Sequence, residues 1–141
     1  MKILIIGGNG FLGTHLAISL KKRGHKVSIY DSKRVNAFKE KIKTIFGNIN
    51  DYKKLDKVIK NKDIVYNYAA ISDIEESIRK PLETIKTNIL GNTLVLDLCV
   101  KHSVKKFIFG STIYVHSSQG SFYKVSKQAS ELIIDEYKKK I

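Results

Sequence analysis

Three groups of residues in this 141-residue chain are spaced for chemistry. The first is Gly7, Gly10 and Gly13, entered from the apolar run Ile3–Ile6 and followed by Thr14, His15, Leu16, Ala17 and Ile18 with helical spacing. A strand, a tight turn and a helix start in that order hold a pyrophosphate on backbone N–H groups at the helix N-terminus. Glycines alone would say little, but with strand and helix in place they point to a nucleotide-binding α/β unit. The second group is Tyr123 and Lys127, four apart and so on one face of a helix. A phenol with a pKa near 10 is a poor base at neutral pH. A neighbouring ammonium, aided by a positively charged nicotinamide, favours the phenolate. The pair can then take or return a hydroxyl proton while hydride moves at carbon. The third group is Ser111 and Thr112, behind the apolar run Phe107–Phe109. Thr112 is the preferred hydroxyl for the same substrate oxygen and Ser111 the competing one; either could instead cap the turn.

Asp31 lies 24 positions beyond Gly7, at the end of a second apolar run. An acid there accepts from the adenosine ribose and repels a 2′-phosphate, which favours NAD over NADP. The ordinary alternative is a turn residue, and Lys33 and Arg34 could each meet a phosphate. Tyr-x-x-x-Lys by itself is an ordinary surface pair; the glycine turn and the Ser-Thr strand end give it a reaction. His116 reads as an exposed loop histidine, and Cys99, among apolar helix residues, as a small core residue.

The elements that must position these groups alternate. Strands are predicted at Lys2–Ile6, Lys26–Tyr30 (ending at Asp31), Ile42–Phe46, Asp63–Asn67 and Lys105–Phe109. Helices are predicted at Phe11–Arg23, Tyr52–Lys60, Pro81–His102 and Ser121–Lys139. A short, loose helix is expected within Ser32–Lys41 and a helical turn within Ile71–Lys80. Gly24 suits a helix exit, Asn50 or Asp51 a helix cap, and Pro81 a first helical turn. The Pro81–His102 helix is apolar over more than one face, so it needs two surfaces: the sheet and a subunit interface. Alternating strands and helices imply an α/β fold, a Rossmann-type doubly wound parallel sheet in the order 3-2-1-4-5. Gly7–Gly13, Asp31, Asn48, Tyr68–Ala70 and Thr112 then all follow strand ends around one crevice.

Composition bounds the remaining possibilities. A single domain spanning 1–141, with 43% hydrophobic and 28% charged residues, is large enough for a real core. No apolar run reaches the roughly 20 residues needed to span a bilayer. The start does not read as a signal peptide, and one cysteine suits a reducing cytoplasm. His15, His25, His102 and His116 are scattered, so no metal site is expected. The net charge of +13 invites nucleic acid, but the lysines run along the whole chain without interleaved aromatics. A solvated surface with long-range attraction for anionic ligands is the reading, and no specific nucleic-acid partner is expected.

Taken together, Gly7-Gly-Asn-Gly10-Phe-Leu-Gly13, Gly47-Asn48-Ile49-Asn50-Asp51, Tyr68-Ala69-Ala70, Ser111-Thr112 and Tyr123-Lys-Val-Ser-Lys127 resemble the extended short-chain dehydrogenase/reductase family, also called the NAD-dependent epimerase/dehydratase family. The resemblance covers essentially the whole chain. It implies NAD held by Gly7, Gly10, Phe11, Leu12, Gly13, Asp31, Ser32, Asn48, Ile49, Tyr68, Ala69, Ala70, Asn88, Tyr123 and Lys127. It implies catalysis by Tyr123, Lys127 and Thr112 on a nucleotide sugar such as a UDP-hexose. Asn48 replaces the family's usual Asp at the adenine, a mild change because an amide still hydrogen-bonds. The family's 4,6-dehydratases carry Asp-Glu after the catalytic Thr; Ile113 and Tyr114 stand there, which disfavours dehydration and favours 4-epimerisation. The family also implies a homodimer through the Pro81–His102 and Ser121–Lys139 helices. Its members normally run to about twice this length, so further C-terminal strands and a substrate domain are expected to be missing. A truncated, inactive dinucleotide-binding module is the alternative.

Overall fold

The computed structural model describes residues 1–34 and 42–139. Strand β1 (Lys2–Ile6) is buried from Ile3 onward on both faces. A continuous aliphatic run is what a central parallel strand requires. Leu4 and Ile6 enter one core with Tyr30, Val65, Leu55, Ile59, Val95, Leu98 and Cys99. Ile3 and Ile5 enter the other with Ile29, Ala17 and Leu20. Helix α1 (Phe11–Lys22) covers this second face and exits through Gly24 at φ +81°. Strand β2 (Lys26–Asp31) then pairs parallel with β1, and β3 (Lys43–Phe46) with β2.

Helix α2 (Tyr52–Ile59) starts at Asp51, whose carboxylate accepts from the Lys54 N–H at 3.0 Å. It returns the chain over the first face to β4 (Ile64–Asn67), which lies on the other side of β1. Helix α3 (Ile74–Arg79), capped by Asp73, leads to α4 (Pro81–Ile85), a π turn at Lys86–Leu90, and α5 (Gly91–Lys101). Strand β5 (Lys106–Phe109) pairs with β4. A 3-10 turn at Ile113–His116 precedes α6 (Ser121–Lys138). The parallel sheet has the order β3-β2-β1-β4-β5, as the alternation of elements predicts. The connections leave β1 and β4 toward opposite faces, so a crevice opens above their carboxyl ends.

Three details depart from the sequence reading. The Ile71–Lys80 segment holds a full six-residue helix, because Asp73 caps it and Glu75 and Glu76 fill its first turn. The Pro81–His102 helix follows one path but is interrupted by the π turn around Asn88. Its second apolar surface is met in part by α6 of the same chain, which packs along α3, α4, the π turn and α5. Leu82 and Leu90 stay exposed there, as do Val125 and Leu132 on α6. The loose helix expected within Ser32–Lys41 falls largely on 35–41, outside the described residues; Ser32–Arg34 is not helical.

Candidate active site

The crevice is a cleft of about 670 Å³ walled by the turns that follow all five strands. On one side is the glycine turn. Gly7 sits at φ +76°, and a Cβ there would lie 2.4 Å from the Ala69 nitrogen. At Gly13 a Cβ would lie 2.6 Å from the Gly7 carbonyl oxygen, so no side chain fits between turn and helix. Gly10 is different: the nearest atom to its Cβ position is the Gly7 oxygen at 3.4 Å, which leaves its cleft side open. Gly10 caps α1 without a side-chain hydrogen bond, and no acid occupies the first turn. The helix N-terminus therefore presents its N–H groups and positive dipole end to the cleft.

Asp31 braces this turn from β2. Its carboxylate accepts from the Asn9 N–H at 2.9 Å and from the Lys33 N–H at 2.8 Å. The Asn9 amide also donates to the Lys33 carbonyl, while Asn9 Oδ1 is buried without a partner. Asp31 is thus both a turn residue and a cleft-lining acid, the two roles its position allows. Behind it, the Tyr30 hydroxyl donates to the Asn48 carbonyl at 2.8 Å; burial, with Asp51 adding to it, pushes this phenol up to about 12. Asn48 Oδ1 accepts from the Asn50 N–H, which turns the amide's NH₂ away from that bond.

On the other side is the pair on α6. Lys127 is 3% exposed, and its Nζ donates to the Gly110 carbonyl at 2.5 Å, at the exit of β5. Nζ lies 4.5 Å from the Phe109 ring centroid and 5.8 Å from that of Tyr123. Burial lowers the Lys127 ammonium from its usual value of 10.5 to about 8, with Glu131 pulling the other way. Tyr123 meets Tyr114 edge-on at 6.5 Å between centroids. The glycine turn, Asp31 and the Tyr123–Lys127 pair all line the same cleft, although more than 90 residues separate its two walls in sequence.

Gly7, Gly10, Phe11, Leu12, Gly13, Asp31, Ser32, Asn48, Ile49, Tyr68, Ala69, Ala70, Tyr123 and Lys127 are all in the cleft wall. Asn88 and Thr112 are not among the lining residues. Asn88 is 2% exposed, and its amide accepts from the Ile71 N–H and donates to the Ile71 carbonyl and the Ser126 hydroxyl. It ties the cleft loop to α6, and its neighbour Thr87 faces the cleft. Ser111 lines the wall but donates its proton to Glu131. Thr112, half-buried, accepts a long 3.4 Å contact from the Tyr114 N–H and keeps its own proton.

Sequence reasoning passed over Asn9, Thr87 and Glu131. Glu131 follows Lys127 by four positions, so the Tyr123–Lys127 spacing carried one turn further would have found it. Thr87 had no such signal, because the π turn rotates the register that a regular helix would give. Cys99, with its thiol pushed up to about 12 by burial, and His116, exposed in the 3-10 turn, stand apart from the cleft.

The cleft suits a dinucleotide. The open face of Gly10 and the uncapped start of α1 match a pyrophosphate, and the Asp31 carboxylate lies beside it at the end of β2. Sequence comparison agrees: the sequence profile of the NAD dependent epimerase/dehydratase family matches residues 3–141. The UDP-N-acetyl-alpha-D-glucosaminuronate decarboxylase of Bacillus cytotoxicus is 37% identical over 125 residues, covering 82% of this chain and 37% of that protein. A UDP-glucose 4-epimerase of Klebsiella pneumoniae is 30% identical over 131 residues, covering 84% of this chain and 94% of that sequence. The crystal structure of UDP-glucose 4-epimerase from Bifidobacterium longum in complex with NAD⁺ and UDP superposes with a TM-score of 0.89 at 26% identity, covering 96% of this chain and 48% of that one. The chain therefore spans well under two thirds of the decarboxylase and about half of the solved epimerase.

Proposed function

The chain belongs to the NAD-dependent epimerase/dehydratase family, and from that premise we propose that it forms the NAD-binding half of a nucleotide-sugar 4-epimerase acting on a UDP-hexose. The observation that carries this reading is the shared cleft, with the glycine cradle on one wall and Tyr123 with Lys127 on the other. NAD bound there would accept a hydride from the sugar carbon and return it.

The chain's own groups do the rest. The N–H groups at the start of α1 bind the pyrophosphate, and Asp31 accepts from the adenosine ribose. Tyr123 takes the proton of the sugar hydroxyl and gives it back. Lys127, held at the Gly110 carbonyl, supplies the positive charge beside Tyr123 and a donor for the nicotinamide ribose. Thr112, one residue beyond the cleft-lining Ser111, is the hydroxyl that would orient the substrate oxygen once a substrate reaches it; the Ser111 hydroxyl already donates to Glu131. The absence of a carboxyl at Ile113 and Tyr114 favours epimerisation over water elimination. The exposed leucines of α4, the π turn and α6 support a homodimer through these helices.

The position of Thr112 outside the cleft lining supports a second reading, a module that binds NAD without turnover. Tritium exchange between labelled UDP-glucose and the protein–NAD complex separates the two. Exchange that disappears in Tyr123→Phe supports the epimerase; binding of NAD with no exchange in the parent chain supports the module.

A further inference from the structure

We propose that Glu131 is a positioning residue for the Lys127 ammonium: its carboxylate ties the exit of β5 to α6 through Ser111 and supplies the charge that balances the buried lysine. This role presupposes the Tyr123–Lys127 reading above and extends it by one residue. Tyr123, Lys127 and Glu131 follow at intervals of four on α6, so the helix presents them along one face. Two successive residues of the β5 exit are bound to that face. Gly110 is held through its carbonyl by Lys127, and Ser111 donates its hydroxyl proton to Glu131. Thr112 comes next in the chain, so the same two contacts fix where its hydroxyl begins.

Charge gives the same assignment. A lysine 3% exposed, with a carbonyl and an aromatic ring as its nearest partners, carries an ammonium that its surroundings resist. The acids that line the cleft are engaged elsewhere. Asp31 holds the N–H groups of Asn9 and Lys33, Asp73 caps α3, and Glu76 pairs with Lys80 at 3.1 Å. Tyr123 on α6 and Tyr68 at the exit of β4 also line this wall, and burial raises the Tyr68 phenol above its usual value. Glu131 is the acid that acts on Lys127, in the sense that favours the ammonium.

The test reads Lys127 directly, by NMR titration of isotope-labelled lysine in the whole chain, with the resonance assigned through Lys127→Arg. Glu131→Gln keeps an oxygen that can accept from Ser111 but removes the charge; Glu131→Asp keeps the charge. The Lys127 midpoint is expected to fall in Glu131→Gln and to return toward the parent value in Glu131→Asp. A purely structural contact would leave the midpoint unmoved. An unshifted midpoint in Glu131→Gln, or a Glu131→Gln chain that no longer folds, overturns the proposal. The titration is made without nucleotide, so a parent chain that fails to bind NAD counts against the proposed function alone.

Discussion

Lys127 is where function and stability pull apart. The ammonium is buried and its pKa falls from 10.5 to about 8, so the unfolded chain binds this proton more tightly than the folded one. Below pH 8 the group opposes folding, and that opposition fades as pH rises from about 8 to 10.5. Such a shift corresponds to about 3 kcal/mol at most. Lys127→Met, which keeps the volume and removes the charge, is therefore expected to melt no lower than the parent at pH 7 while losing hydride exchange. Its advantage over the parent should shrink as pH is raised through that window, and thermal melts at several pH values check the sign. Tyr123→Phe is the complementary change. It should bind NAD nearly as well as the parent and exchange hydride about 100-fold more slowly or worse, the loss expected of a missing acid–base group.

Among the elements, the strands and the glycine turn were legible because their signals are local. Ile3–Ile6 is a continuous aliphatic run, and the faces of α2 repeat at helical spacing, with Leu55 and Ile59 fully buried. The π turn was not legible, since Lys86–Leu90 carries no glycine or proline and its register depends on partners distant in sequence. Asn88 shows why. Its three side-chain hydrogen bonds reach Ile71 and Ser126, contacts that only the folded chain brings together. The same tertiary contacts bury Asn88 and leave its neighbour Thr87 in the cleft wall. Asn88→Ala would leave the Ile71 backbone groups and the Ser126 hydroxyl short of partners, at a cost of about 2–3 kcal/mol. Urea denaturation should show that loss; an unchanged midpoint would mean that the tie is dispensable. The choice between Ser111 and Thr112 turns on the same kind of contact, because Glu131, 20 residues away, accepts the hydrogen bond of the Ser111 hydroxyl.

At the scale of the whole molecule, the sheet is covered unevenly. Helices α2 and α5 close the first face, while α1 closes the second only over β1 and β2, so Tyr66 and Ile108 at β4 and β5 remain half-buried. Strand β5 pairs with β4 alone among the described residues. Leu82 and Leu132, 65% and 69% exposed, sit on helices that pack against each other, and they are the side chains a dimer would cover. Sedimentation should show the parent as a dimer and Leu82→Glu/Leu132→Glu as a folded monomer. A monomeric parent would contradict the dimer.

The central claim is that the turn from Gly7 to Gly13 and Asp31 form a cradle for NAD, and calorimetric titration of the chain with NAD tests it most directly. Saturable binding is expected, weakened by about tenfold or more, roughly 1.4 kcal/mol, in Gly13→Ala, because the added Cβ would lie 2.6 Å from the Gly7 carbonyl oxygen. A folded parent chain that releases no heat of binding with either NAD or NADP, or a Gly13→Ala chain that binds as tightly as the parent, would contradict it.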